Sequence, residues 1–549
     1  MTTEKHIGFV ETISSLYATA ILDDDITTLE RTINGKVCRI GQIGSYVIMP
    51  VTETTVLGMV TEMSFAPRPE KNGAEETAGK IESVATMPKE MKIQLIGSVV
   101  NGKFEKGIAS FPPLGNDVYM TDDDDMSHLF STFAQFGFAI GDISGYAGER
   151  QYIDPNKFFG KHIALLGSTG SGKSTAVASI LQKVQMFSNT HVIILDIHNE
   201  YSAAFKDFGN LINITDLELP YWFMNFEEMR ETFVDDSEPS AQSQIMLLKD
   251  LILNSKKAKN SQMQEQITVD TPIFFDLNEA RAKFQFYDTE RVSGYSGGQS
   301  REGPFYGQFT RFLVRLDSRM TDKRYEFMFK PRKYKDSNAI KEIITRIFGL
   351  DTKKQVTVID LSGVPFDIVN TIVSLLARTV FDFNFWNKNK SDFPVLLVFE
   401  EAHNYLPQIP SPTSRAARRT VERIAKEGRK YGVACMIVSQ RPSDLSETIL
   451  SQCNNFITLR LTNPADQNYV KKLVPDSFGG MLDILPSLRQ GEALVIGDST
   501  ALPVRVLLDY PAPPPNSADI KFYDKWIACE NPTNVSEVID RWWKQDRTL

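Results

Sequence analysis

Three groups of residues in this chain have types and spacings suited to phosphate chemistry. The first is Gly167-Ser168-Thr169-Gly170-Ser171-Gly172-Lys173-Ser174, which satisfies G-x-x-x-x-G-K-[ST] at every position and runs on into Thr175. Glycines let the backbone curl until successive N–H groups converge on an anion, and a helix starting here adds its positive N-terminal dipole. In such a cradle Lys173 neutralises the β- and γ-phosphates of a nucleoside triphosphate and the Ser174 hydroxyl ligates Mg2+. The second group is Glu400-Glu401-Ala402-His403, which ends the apolar run at 393–399. Two carboxylates delivered by a buried strand, Glu400 and Glu401, suit hydrolysis: one holds magnesium through its water shell, and the other orients or deprotonates the attacking water. The third is Ser439-Gln440-Arg441-Pro442-Ser443, after the apolar run 433–438. An amide such as Gln440 at a central strand end can touch the γ-phosphate or its water and report hydrolysis to nearby loops. Glycine-rich turns and paired acids each arise by chance. A cradle followed roughly two hundred residues later by the acid pair points to binding and hydrolysis together.

These groups need a sheet to bring them to one edge. Apolar runs at 163–166, 191–195, 355–361, 393–399, 433–438 and 456–461 alternate with helical segments at 175–184, 366–383 and 414–431. That alternation predicts an α/β core with a mainly parallel sheet, whose ligands sit at the carboxyl ends of the strands. Asp196, closing one of these runs, either acts near the nucleotide or caps the next helix. On the helix at 414–431, Arg415, Arg419, Arg423 and Lys426 share a face that is either a wet surface or one turned to DNA or a second subunit. Upstream, residues 7–140 hold short runs of period two punctuated by glycine, which predict a small β-barrel with 68–88 as a long surface loop. The acidic run 122–125 has no metal-loop spacing and reads as solvated loop charge. Residues 145–161 read as a linker. Residues 205–354 break the alternation, with helical periodicity at 240–255 and 304–319 and a mobile Gly/Ser-rich stretch at 291–303, so a mainly helical insertion is expected. A closing hairpin at 491–497 and 503–508 precedes a proline-stiffened end and a tail whose Trp526, Trp542 and Trp543 must dock on something. The expected division is a barrel over 1–145, a core of 146–204 with 355–510, the insertion 205–354, and a tail 511–549.

At 549 residues, 42% hydrophobic and 23% charged, the chain has the composition of a soluble globular protein of two to four domains. No run approaches the eighteen or so apolar residues of a membrane span and the start has no signal-peptide profile, so the expectation is a cytoplasmic protein without membrane contact. Cys38, Cys435, Cys453 and Cys529 show no zinc or disulfide spacing and are expected reduced. A net charge of -9 argues against a surface coated for nucleic acid, yet leaves room for DNA in a small basic channel.

The stretches 161–174, 401–403, 427–432, 439–443 and 491–495 together resemble the HerA/FtsK branch of hexameric ATPases, HerA in particular. The resemblance implies a RecA-like P-loop NTPase core behind a small N-terminal β-barrel. It further implies a homo-hexamer that threads double-stranded DNA and binds ATP between neighbours. Lys173 and Ser174 would then hold phosphate and magnesium, with Glu400 at the magnesium through water, and Glu401 would polarise the attacking water; Arg429 would be the finger entering the adjacent subunit's site, with Arg441 as the alternative, and Gln440 the sensor. HerA-like proteins work beside effectors, so the likeness also implies a separate partner: a NurA-type or other nuclease, or a sirtuin-like NADase, in DNA end processing or antiviral defence. The alternative is a nucleotide-controlled ring scaffold that activates such a partner with little translocation of its own. Two positions depart from the pattern: Glu400 stands where the wider P-loop group has Asp, and Lys161 where HerA-like chains often carry Arg.

Overall fold

The computed structural model describes residues 3–26, 28–33, 36–66, 87–100, 103–146, 148–293, 300–517, 520–528 and 533–544. Strands that bury both faces must be apolar along their whole length, and four such strands make the centre of the main sheet. In chain order the sheet comprises β1 (Phe138–Ile143), β2 (Arg150–Ile153), β3 (His162–Leu166), β4 (His191–Asp196), β5 (Gly209–Asn213), β6 (Val356–Asp360), β7 (Val395–Phe399), β8 (Val433–Ser439), β9 (Cys453–Leu459), β10 (Glu492–Gly497) and β11 (Val504–Leu508). Their spatial order is β2-β1-β11-β10-β9-β3-β8-β7-β4-β6-β5. From β9 across to β5 every pairing is parallel, and β10, β11, β1 and β2 add an antiparallel wing. Parallel neighbours require crossovers, and three helices matter for the site: α1 (Lys173–Gln182), α2 (Phe366–Trp386) and α3 (Arg415–Glu427).

The sheet crosses the expected domain limits at both ends. Strand β1 lies before residue 146 and pairs with β11, while β5 lies beyond residue 204 and pairs with β6. Neither carries a strong local signal: β5 reads GNLIN with one buried residue, because an edge strand needs burial on one side only.

The N-terminal barrel closes as expected. Strands His6–Ile13, Tyr17–Leu22, Tyr46–Val51, Thr54–Phe65, Lys89–Val100 and Asp117–Met120 form a ring, sealed where Tyr17–Leu22 pairs with Lys89–Val100. Closure removes the sticky edges of a short sheet and encloses a core that includes Val10, Ala20, Val56, Val60 and Ile93. The expected loop 68–88 falls almost wholly outside the described residues. The acidic run is not loop: Asp122 caps a helix, Asp123–Phe130, in a reciprocal box with Asp125, and Lys5 lies 2.7 Å from both carboxylates. Carboxylates gather at that helix start because its free N–H groups attract them.

The insertion is mainly helical, with helices Ala241–Lys259, Leu277–Thr289, Thr310–Thr321 and Ile340–Ile347. The stretch expected to be mobile has paired ends, Arg291–Ser293 with Ser300–Glu302, and residues 294–299 lie outside the described set. After the sheet, the proline-rich segment folds back over α1: Gln182 accepts from the Ala512 N–H at 3.0 Å and donates to the Pro513 carbonyl at 2.8 Å. The tail ends in two short helices, Phe522–Ile527 and Val535–Lys544, on which Trp526 and Trp543 stay exposed. Among the described residues no helix is long and apolar enough to cross a membrane.

Candidate nucleotide site

The cradle is fixed on both flanks before any ligand arrives. Leaving β3, Gly167 donates its N–H to the Ser439 carbonyl at 3.2 Å and Ser168 donates to the Arg460 carbonyl at 2.9 Å, tying the loop to β8 and β9. Gly170 and Gly172 then take φ of +72° and +101°, a left-handed backbone that a side chain strains. Gly172 is the residue before α1, so Lys173 and Ser174 are its first two positions and Thr175 the third, with the helix N–H groups opening on the loop. The Ser171 carbonyl accepts from the Gly491 N–H at 2.9 Å, and the Ser171 hydroxyl is buried without a hydrogen-bond partner among the described residues.

At the end of β7 the two acids part company. Glu401 sits at φ +46°, an uncommon state for a residue with a side chain that costs on the order of 1–3 kcal/mol. Its Oε1 lies 3.8 Å from Lys173 Nζ, and its Oε2 lies 3.2 Å from His403 Nδ1. That Oε2 is buried and accepts no hydrogen bond among the described residues, an open acceptor beside the cradle. His403 also approaches the Ser439 hydroxyl at 3.3 Å, and burial lowers its pKa, which keeps the ring neutral. Glu400 turns into the protein and accepts from the Tyr201 hydroxyl at 2.5 Å. Burial, reinforced by Glu401, Glu200 and Asp196, pushes its carboxyl up to about 8.

Asp196 caps no helix. Its carboxylate takes the N–H groups of His198 at 3.2 Å, Glu200 at 3.1 Å and Tyr201 at 2.9 Å, closing the turn that carries Tyr201, and burial raises its pKa to about 6. Gln440 does reach the cradle, where its Oε1 accepts from the Thr169 hydroxyl at 2.5 Å. The structure therefore brings Lys173, Glu401, Thr169 and Gln440 to one edge.

The two candidate fingers lie on opposite edges. Arg441 follows the carboxyl end of β8, with its backbone N–H on the Ser439 hydroxyl and its guanidinium 3.6 Å from Asp444. Arg429 precedes the amino end of β8 and reaches Asn454 Oδ1 at 3.2 Å, away from its own cradle. Lys161 is on that same amino edge and pairs with Asp498 at 2.5 Å, with Lys106 of the barrel 3.6 Å from the same carboxylate. The basic face of α3 is largely neutralised within the chain: Arg415 pairs with Asp236 and Arg419 with Glu227, both in the insertion, while Arg423 lies over the Phe381 ring at 4.8 Å. That face pins the insertion down instead of standing free.

Sequence reasoning assigned no part to Tyr201 or His403. His403 was in view beside Glu401, but only the fold shows it spanning Glu401 and Ser439. Tyr201 follows Asp196 by five residues, a spacing with no periodic meaning until the turn is formed. Among the described residues no group of three His, Cys, Asp or Glu side chains can hold a metal ion unaided. The Ser174 hydroxyl, at the second position of α1, is a hard oxygen of the kind magnesium takes when it arrives with a nucleotide, whereas Glu400 is turned inward onto Tyr201 and fits a direct ligand poorly.

Two family descriptions match in tandem: "Helicase HerA, central domain" over residues 138–380 and "Helicase HerA-like C-terminal" over 384–514. The "DNA double-strand break repair helicase HerA" of Sulfolobus acidocaldarius is 26% identical over 97% of this chain and 100% of its own length. The protein of the same description from Pyrococcus furiosus is 28% identical over 71% of this chain and 72% of its own. Among solved structures, VirB4 of Thermoanaerobacter pseudethanolicus aligns with 68% of this chain and 96% of its own, at 16% identity and a TM-score of 0.48. The first match opens at β1 and the second closes just past β11, so the matched span is the sheet itself together with the insertion, and the chain belongs to the HerA helicase family.

Proposed function

We propose that this protein is an ATP-hydrolysing translocase or helicase that works on double-stranded DNA as a ring of six copies. The observation that carries this is the meeting of Lys173 and Glu401, 3.8 Å apart at the carboxyl edge of one sheet, with Gln440 on Thr169 beside them. Family membership supports the DNA substrate, since the relatives that match along most of the chain are described as DNA double-strand break repair helicases.

In the proposed cycle the N–H groups of the glycine loop and α1 hold the phosphates, and Lys173 moves from Glu401 to the incoming negative charge. The Ser174 hydroxyl, with Glu400 reaching only through water, would hold a magnesium ion, which would supply positive charge at the phosphate oxygens. Glu401, released by Lys173 and with its buried Oε2 still unpartnered among the described residues, accepts a hydrogen bond from the attacking water and takes its proton. Gln440 registers the loss of the γ-phosphate through Thr169. Arg429 lies on the opposite edge from its own cradle, so it suits delivery to the next subunit's site, where an added cation stabilises the phosphoryl transition state. Arg441, on the cradle's own edge, does not suit that task. A separate effector, a nuclease or an NAD-consuming protein, completes the proposed assembly.

The test is ATP turnover by the full chain with and without linear duplex DNA. Stimulation by DNA, with loss of both turnover and movement in Lys173→Ala, is the expected result. Turnover indifferent to DNA, together with ATP-dependent activation of a co-purified partner, would replace the motor by the ring scaffold.

A further inference from the structure

Arg460 follows the last residue of β9 and holds the cradle from the side. Its carbonyl accepts the Ser168 N–H at 2.9 Å, and two residues on, the Thr462 N–H donates to the Ser168 hydroxyl at 3.2 Å, with the two hydroxyls 3.4 Å apart. Three contacts to one loop residue fix this segment against the anion site. Other arginines along the sheet edges have partners: Arg441 has Asp444, Arg505 and Arg489 share Glu492, and Arg429 has Asn454. Arg460 differs. Its Nε is buried and unpartnered, and among the described residues no carboxylate or other acceptor is found for its guanidinium.

A guanidinium stays charged at any physiological pH and offers five donors with no means of shedding its proton. Arg460 is part-exposed with only its Nε shut away from water, and an unpaired buried donor on a cation beside an anion site is costly until an anion arrives to satisfy it. We infer that Arg460 is a nucleotide-contacting residue, whose guanidinium binds phosphate oxygens of the nucleotide held in the 167–174 cradle of the same chain. Leu459 occupies the cradle side of β9, where a Cβ on Gly167 would meet it at 2.9 Å. Side chains alternate along a strand, so Arg460, one residue on, starts from the other face, and only a long side chain brings a guanidinium round the strand end to the cradle. This inference rests on the proposal that the cradle binds ATP, and it adds a cation in cis to the one Arg429 supplies in trans.

The experiment titrates the full-length protein with a fluorescent ATP analogue and melts it without nucleotide, for wild type, Arg460→Ala, Arg460→Lys and Lys173→Ala. Arg460→Ala is expected to weaken binding at least tenfold while the nucleotide-free melting temperature holds or rises, because no described residue pairs with the guanidinium. Arg460→Lys is expected to recover part of the affinity. Binding unchanged within twofold in Arg460→Ala would overturn the inference. So would a weakened affinity accompanied by a lower nucleotide-free melting temperature, which marks a structural role. Wild-type affinity in Lys173→Ala would instead overturn the cradle as the ATP site, whatever Arg460 does.

Discussion

Glu400 and Glu401 are adjacent in sequence, yet the left-handed backbone at Glu401 sends them to different tasks. Glu401 keeps an open acceptor toward the cradle, and Glu400 is clamped by Tyr201. Glu401→Gln, which preserves shape and removes the proposed base, is expected to lower ATP turnover by about a hundredfold or more while ATP still binds, as measured by steady-state hydrolysis and nucleotide titration. A second buried acid, Glu492, tests the scaffold behind the cradle. Burial alone would raise its pKa, but Arg505 at 2.7 Å, the Ser144 hydroxyl at 2.5 Å and the Arg489 N–H at 3.0 Å together hold it down at about 2, against 4.5 unfolded. An acid whose folded pKa is depressed contributes stability above 4.5 and loses it as pH falls toward 2. Acid unfolding between those values should therefore be steeper in wild type than in Glu492→Gln, which has no proton to take up.

At the scale of elements, two turns meet back to back: the cradle and the turn that precedes β10. Gly172 and Gly491 both have left-handed φ, +101° and +76°, but their surroundings differ. A Cβ on Gly491 meets nothing within 4 Å, whereas one on Gly172 comes within 3.4 Å of the Gly491 backbone. Gly491→Ala is expected to cost only the backbone strain, about 1 kcal/mol by denaturant unfolding, with ATP affinity unchanged. Gly172→Ala pushes one turn against the other and distorts the N–H groups that hold phosphate. It should lose affinity at least tenfold as well as stability. The pairing of α3 with the insertion works differently, because exposed ion pairs such as Arg415–Asp236 contribute little each, about 0–1 kcal/mol, and orient more than they stabilise.

For the whole molecule, Lys173 and Arg429 stand on opposite edges of the sheet, so the proposed site, with Arg429 as its finger, needs a second copy. Chains carrying Arg429→Ala mixed with chains carrying Glu401→Gln provide the check. If neighbours share sites, a mixed ring contains some pockets with both defects and some with neither, and turnover at intermediate ratios should exceed that of either parent. Turnover equal to the weighted mean of the parents would show that each copy hydrolyses alone.

Much of the site was legible in the sequence because phosphate loops and buried strands are local patterns: the spacing from Gly167 to Ser174 and the apolar runs before Glu400 and Gln440 carry their own geometry. The parallel core, the closed barrel and the helical insertion followed from the same periodicities. What local pattern does not encode is which strand ends lie side by side and which way a side chain turns there. The partnership of Tyr201 with Glu400, the span of His403 from Glu401 to Ser439, and the capture of β1 and β5 by the sheet all join residues distant in the chain. Only packing decides those, because burial drives polar groups to find partners in three dimensions, and an unpaired buried donor such as the Arg460 Nε is visible only once its neighbours are paired.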